Sequence, residues 1–404
     1  MTVNTDSEKI KEILTRRVDE VIEKESLERK LKSGKRLIIK LGADPTSPDL
    51  HLGHTICLGK LKEFQDLGHK IMFIIGDFTA RIGDPSGRIK TRPALSEKEI
   101  KNNTRTYFEQ VGKILDIKKT EIRRNSEWFS KMSFTELFRL SHFFTINQIL
   151  EGNIFRRRWE AHQPIWLHEF FYPILQAYDS VMIKADVEIG GTDQLFNMMA
   201  GRILQPYFKQ SSQDIITQPL LLGLDGKQKM SKSLGNYVGI TEKPESQYGK
   251  IMSIPDSLIL HYFELCTDIS LDELERIKKD FKNPNTNPRD LKARLAKEIV
   301  AIYHGRVKAK KAGAEFNKVF QKKEIPQEIK SYKIEDKTLN ILDLLTKIKF
   351  FSSKSQARHL IEQGGVKTIF ENKKETISDW KKEIEIKRGM VIQVGKRRFA
   401  RLAQ

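Results

Sequence analysis

Arg36-Leu37-Ile38-Ile39-Lys40-Leu41-Gly42-Ala43-Asp44-Pro45-Thr46, then His51-Leu52-Gly53-His54, then Lys70-Ile71-Met72-Phe73-Ile74-Ile75: this stretch decides how the chain folds. The first apolar run has the length of a buried strand, and Gly42 to Thr46 break it. A helix is predicted from about Gly53 to Asp66, with Leu58, Leu61 and Phe64 near one face and Gly68 just past its end. The run from Lys70 to Asp77 is the second buried strand. Strand, helix and strand in this order predict a right-handed parallel unit, so the leading class is α/β.

Outward from this unit, Ser96 and Glu99 form a capping-box pattern that opens a helix to about Leu115. From Trp128 to Phe171 the chain reads as helical, and Phe134, Leu137, Phe138, Leu140, Phe143, Phe144 and Ile146 crowd it with large apolar side chains. These are expected in a core; the alternative is an exposed patch that meets a partner. Strand patterns resume at Ala185 to Ile189 and Ile215 to Leu222. Helices follow at Leu271 to Phe281 and Asp290 to His304. Gln321 to Lys337, with alternating charge and Pro326, reads as a linker.

Composition narrows the function. The chain of 404 residues has room for two or three domains, and no apolar run approaches the roughly 20 residues of a membrane helix. Its first 25 residues mix acidic and basic side chains, unlike a signal or transit peptide, so a cytoplasmic location without membrane partners is expected. Cys57 and Cys266 are too few and too far apart in sequence for a disulfide framework or a Cys-rich metal site. A net charge of +19 favours polyanionic partners, and its distribution sharpens the point. Thr338 to Gln404 carry 15 Lys plus Arg against 7 Asp plus Glu, ending in Lys396-Arg397-Arg398-Phe399-Ala400-Arg401, a pattern suited to phosphates.

Three groups of residues carry chemistry. His51 and His54 open a helix after a turn, Asp44 to Asp49, that leads off a strand's carboxyl end. Packing or metal ligation is the plain alternative, but two ligands are too few for a metal without a third. Gly53 leaves the helix start bare, where unpaired N–H groups attract phosphate. Lys229-Met230-Ser231-Lys232-Ser233 is flanked by Gly223, Gly226 and Gly235, which suits a loop that closes over pyrophosphate. Charge stabilisation confined to the transition state raises turnover and needs no general base. Tyr172, Gln176 and Asp179 fall at steps of four and three on one helical face. A face with one acid and two neutral polar groups suits a small zwitterion. In a core, each unmet group costs about 1–3 kcal/mol.

Together with Gly83-Asp84-Pro85-Ser86-Gly87-Arg88, Tyr172 to Asp179 and Gly190-Gly191-Thr192-Asp193-Gln194, these motifs resemble the class I aminoacyl-tRNA synthetases, and within them the bacterial tyrosyl branch, over nearly the whole chain. The resemblance implies a Rossmann-like parallel-sheet catalytic domain at 1–240 with inserted helices at about 125–170. It further implies a helical domain at 241–322, a linker at 323–337 and a small α+β S4 RNA-binding domain at 338–404. By resemblance the activity is an ATP-dependent tyrosine–tRNA ligase acting with Mg²⁺ on the nucleotide and with no metal held by the protein. Its substrates are ATP, L-tyrosine and tRNA(Tyr), and the family implies a homodimer touching through Phe134 to Ile149.

The implied roles follow the motifs. Thr46, His51, His54, Lys229, Lys232 and Ser233 act on the phosphates. Asp84, Tyr172 and Gln176 hold the tyrosine ammonium, Asp179 takes the phenol and Gln194 lies near the carboxylate. Asp44, Gly53, Gly191, Asp193, Met230 and Ser231 line the adenylate site, and Arg88 and Arg92 stand where the family has further cations. Where close relatives carry a tyrosine whose hydroxyl meets the substrate phenol, this chain has Lys40; either it turns away or its ammonium joins the phenol site beside Asp179. Ser352 to Lys367 resembles the basic helix and glycine turn of the S4 module, so Lys354, Arg358, Arg397 and Arg398 are expected at tRNA. Two rival readings stay open. A nucleotidyltransferase acting on another small carboxylate or alcohol would share the histidines and lysine loop. A synthetase-like RNA-binding protein would lack ATP–pyrophosphate exchange.

Overall fold

In the computed structural model, the structure describes residues 2–86, 96–320, 329–351, 353–371, 373–395 and 398–403. Gly87, Arg88, Arg92 and Arg397 lie outside the described residues. The chain divides into two compact units, Met1–Ala309 and Lys310–Gln404.

The first unit is built on a six-stranded sheet: β1 (Glu20–Ile22), β2 (Ile38–Ala43), β3 (Lys70–Ile75), β4 (Thr120–Arg124), β5 (Val187–Gly191) and β6 (Asp214–Gln218). The order is β1-β6-β5-β2-β3-β4, parallel except for β1 against β6. Ile39, Ile71, Ile74, Ile75, Val187, Ile215 and Ile216 are fully or almost fully buried, as expected of strands covered on both faces. The chain runs from β2 outward to β3 and β4, then returns to the other side of β2 as β5. The gap above the carboxyl ends of β2 and β5 is therefore a topological switch point, where open α/β sheets bind ligands.

Three helices face that gap. Leu52–Asp66 packs on β2, β3 and β5, Phe171–Ile183 packs on β2, and Leu195–Leu204 packs on Phe171–Ile183 and on β5. Ser96 and Glu99 close the expected capping box, and the helix runs Glu97–Val111. The 128–171 region is a set of short helices, including Phe134–Ser141, Ile146–Leu150 and Asn153–Glu160. Its core reading holds in part. Leu140, Ile149 and Phe155 are buried with Ile174, Ala177 and Leu204. Phe134, Phe138 and Ile146, expected inside, are 81%, 56% and 64% exposed, because such short helices have only one face against the domain.

In the second unit a five-stranded sheet runs in the order Lys373–Ile377, Val366–Phe370, Val391–Val394, Arg398–Ala403 and Ser331–Lys333. Ile341, Leu344, Leu345, Ala357, Ile361 and Ile392 form its core. Residues 321–328 of the expected linker lie outside the described residues. Ser331–Lys333 pairs in parallel with Arg401–Ala403, and Tyr332 packs on the core, so this segment belongs to the sheet.

Candidate active site

A cleft of about 800 Å³ opens at the switch point, lined among others by Asp44, Thr46, His51, His54, Asp84, Tyr172, Gln176, Asp179, Asp193, Gln194 and Lys229. Residues from five motifs far apart in sequence therefore share one cavity.

At one wall, His51 caps the helix Leu52–Asp66: its Nδ1 accepts the Gly53 N–H at 3.2 Å, and His54 Nδ1 accepts the His51 N–H at 3.2 Å. The rings lie 3.9 Å apart, centroid to centroid. Burial, then His54 and Lys229, push the His51 pKa down to about 2, so the ring is neutral. With both Nδ1 atoms accepting, each neutral ring carries its proton on Nε2, a donor for phosphate oxygen. Gly53 lets the His51 ring lie close over the helix start, since a Cβ would stand 3.0 Å from His51 Cε1.

The opposite wall is the lysine loop, tied at both ends. Leu222 bridges Lys229 and His51 bridges Gly239, with the Leu52 N–H donating to Val238 O at 3.0 Å. Met230 is buried and anchors the loop. Lys229 pairs with Asp193, and Lys232 Nζ lies 2.7 Å from Asp49 Oδ2. Asn236 shapes the turn: its Oδ1 accepts the Ser231 N–H at 2.8 Å and its Nδ2 donates to Asp225 at 2.9 Å. Gly235 sits at φ +67, in the left-handed region.

At the base of the cleft lies the polar helix face. Tyr172 O–H donates to Asp44 Oδ2 at 3.0 Å, and Asp44 also accepts from Thr79 at 2.7 Å. Burial and Asp44 drive the Tyr172 phenol well above its ordinary range. Asp84 accepts from the Ser86 N–H at 2.9 Å and from Gln194 Nε2 at 2.8 Å, while burial raises its carboxyl. Asp179 accepts from Trp128 Nε1 at 2.9 Å and from Asn125 Nδ2 at 3.4 Å. Burial nevertheless pushes its carboxyl up to about 7 against the pull of Lys40. Lys40 has turned from the cleft: its Nζ meets Glu188 Oε1 at 2.8 Å, Gln176 O at 2.9 Å and Ser180 Oγ at 2.7 Å. Those three acceptors account for all three ammonium hydrogens, the arrangement of a lysine that turns away from the cleft. Cys57 also lines the cleft, but burial and Asp193 push its thiol up to about 12 and keep it protonated.

Sequence reasoning missed Asn125, Trp128, Thr79, Glu188 and Asn236. No local motif marks Asn125, Trp128, Thr79 or Glu188, since each meets partners distant in sequence, while Asn236 acts within its own loop, on Ser231, Lys229 and Asp225.

In the second unit, Lys354 pairs with Asp343, and Arg358 lies 4.4 Å from the Trp380 ring while bonding Glu362 at 2.8 Å. Arg398 donates to Phe350 O at 2.6 Å. These cations are on one small basic unit, away in sequence from the cleft residues.

The family model of class I tRNA synthetases (W and Y) matches residues 32–321. A tyrosine–tRNA ligase of Thermotoga maritima is 49% identical over 399 residues, 99% of this chain and 98% of the relative. Tyrosine–tRNA ligase 2 of Clostridium acetobutylicum is 48% identical over 394 residues, 96% and 97% respectively. A C-terminally truncated mitochondrial tyrosyl-tRNA synthetase of Aspergillus nidulans shares the fold, with TM-score 0.66 at 22% identity over 77% of this chain and 94% of that one. So does the tyrosyl-tRNA synthetase of Archaeoglobus fulgidus complexed with L-tyrosine, at TM-score 0.60 and 24% identity over 76% and 99%. A switch-point cleft between paired imidazoles and a lysine loop is thus that of a class I aminoacyl-tRNA synthetase, an ATP-dependent ligase. Within that class, the chain belongs to the tyrosine–tRNA ligases.

Proposed function

We propose that the chain activates tyrosine in this cleft and passes it to tRNA(Tyr), with the residues in the following roles. Asp179 accepts the substrate phenol, and Asp84, Tyr172 and Gln176 receive the α-ammonium, with Gln194 near the carboxylate. ATP enters with Mg²⁺ on its phosphates, the binding mode this small cation prefers. The adenosine lies along Gly191 and Asp193. A Cβ at Gly191 would stand 2.7 Å from Asp193 Oδ1, so glycine there keeps the ribose wall open. Tyrosine's carboxylate attacks the α-phosphorus, the bond to the bridging oxygen breaks, and pyrophosphate leaves. Neutral His51 and His54, Thr46, Lys229, Lys232 and Ser233 stabilise the charge that builds on the phosphates. The terminal adenosine of the tRNA then takes the tyrosyl group and AMP departs.

The observation that carries this reading is the convergence of Asp179, His51 and Lys229 on one cleft. ATP–pyrophosphate exchange with a panel of amino acids tests it. Tyrosine alone is expected to support exchange; exchange driven by a different acid, or by none, would overturn the reading.

The same proposal extends to partners. Lys354, Arg358 and Arg398 of the S4-like unit meet the tRNA backbone, the mode by which small basic domains read structured RNA. The exposed Phe134, Phe138 and Ile146 form the contact of a homodimer, an apolar patch that a soluble monomer rarely leaves open. No described helix is long and apolar enough to cross a membrane, and the reading places the chain in the cytoplasm.

A further inference from the structure

We infer that Lys40 is a specificity-determining positioning residue: paired with Glu188 across the two central strands, it fixes the helical turn that carries Gln176 and Asp179 and balances the charge around the Asp179 carboxylate, without touching the amino acid. The inference rests on tyrosine occupying the cleft.

Lys40 on β2 and Glu188 on β5 are direct partners in the parallel register, so their side chains leave the same face of the sheet at the switch point. They are 0% and 1% exposed. The pair is stitched to the helix Phe171–Ile183 at both ends of one residue. The Gln176 carbonyl accepts from Lys40 at 2.9 Å, and the Gln176 side-chain amide donates to Glu188 Oε1 at 3.1 Å. One turn on, the Ser180 hydroxyl accepts from Lys40 at 2.7 Å and donates to Glu188 Oε2 at 3.1 Å, and Gln213 donates to the same oxygen. Asp179 stands inside this turn. Gln176, Asp179 and Glu188 line the cleft, with Lys40 buried behind them.

A buried ion pair is seldom the most stable filling for a core, because desolvation of both ions offsets their attraction. Its place beneath the amino-acid pocket supplies the reason that stability does not. Among the described residues, the charged and titratable groups facing Asp179 are Lys40 from β2, Glu188 from β5, and Tyr172 on its own helix, which is bonded to Asp44. Lys40 favours the Asp179 anion and Glu188 opposes it. The ammonium thus does from behind what a hydroxyl facing the phenol would do from the front: it keeps Asp179 an acceptor.

The test is tyrosine-dependent exchange by the full chain across pH, in Lys40→Met, Glu188→Gln and the double variant. In Lys40→Met the acid limb of kcat/KM for tyrosine should move to higher pH, and in Glu188→Gln to lower pH, each by ~1 unit. Lys40→Met should also lower the preference for tyrosine over phenylalanine by ~10- to 100-fold through KM for tyrosine, with KM for ATP unchanged. Adding Glu188→Gln to Lys40→Met should recover most of that preference. Limbs that stay fixed or move the same way would overturn the inference, as would a loss the second substitution does not recover, which signifies direct contact with the phenol. If Lys40→Met does not fold, Glu188→Gln decides alone: a limb that fails to move to lower pH overturns it. A parent chain without tyrosine-dependent exchange would overturn the functional reading itself.

Discussion

Asp179 accepts hydrogen bonds from Trp128 and Asn125, yet burial still holds its carboxyl at about 7, within reach of ordinary assay pH. Because kcat/KM reports the free enzyme, its value for tyrosine is expected to fall as pH drops below about 7, where the carboxyl takes up a proton and stops accepting. A pH profile with no such limb would contradict the role of Asp179. Replacement by alanine is expected to cost ~10²-fold or more in tyrosine-over-phenylalanine selectivity with little change in KM for ATP, tyrosine synthetases being the established example of discrimination by a bonded hydroxyl. Stability runs the other way. A folded pKa above the unfolded one means this group's contribution is full below the unfolded value and is lost as pH rises through the folded one. Asp179→Asn should therefore melt higher than the parent at neutral and alkaline pH, and the gap should close in acid; equal melting at all pH values would show that burial costs the anion nothing. Asp179 itself could be read from the spacing of Tyr172, Gln176 and Asp179 on one helical face. Its partners could not, because Asn125 and Trp128 follow β4 and meet the carboxylate only after the sheet has formed.

Among the elements, the strand–helix–strand unit was legible because its three segments carry unmixed signals: two buried apolar runs and a helix with a clear stop. β1 was not, since its three residues are partly exposed and are held by pairing with β6. The insertion misled for a related reason. Its apolar periodicity is real, but a helix of eight residues such as Phe134–Ser141 buries little more than Leu140, so its phenylalanines reach the surface. In the lysine loop the sequence marks the charged residues, while the structure adds the brace, Asn236, bonded to Ser231, Asp225 and the Lys229 carbonyl. Lys232→Ala should slow tyrosine activation ~10²–10³-fold, as expected for the loss of one donor to a developing charge, with tyrosine affinity unaltered. Asn236→Ala leaves both lysines in place but frees the turn, so it should lower kcat for activation by ~10-fold while KM for tyrosine holds. Single-turnover measurement of adenylate formation separates the two, and an Asn236→Ala enzyme with parental kcat would mean the loop needs no brace.

For the whole chain, the two compact units imply a division of labour that truncation can expose, provided the cut falls in the right place. The linker expectation suggests cutting near Lys337. The structure forbids that choice, because Ser331–Lys333 is an edge strand of the second unit, paired with Arg401–Ala403, with Ile334 in the core beyond it. A cut at Lys337 would leave an unpaired strand on the first unit, and such edges promote aggregation. A chain ending at Phe320 retains the complete helix Arg306–Phe320 and every cleft residue. This truncated chain should form tyrosyl-adenylate at close to the parental rate, since His51, Lys229 and Asp179 keep all their contacts. Charging of tRNA should fall steeply, because the basic surplus of Thr338 to Gln404 is removed with its phosphate contacts. The same contacts make charging by the full chain weaken as salt rises from about 50 to 200 mM, while adenylate formation changes much less. Burst-phase and charging assays on the two chains, run at both salt concentrations, measure all four quantities. Parental charging by the truncated chain would place RNA recognition within residues 1–320, and a matching loss of adenylate formation would mean that the catalytic cleft depends on the part removed.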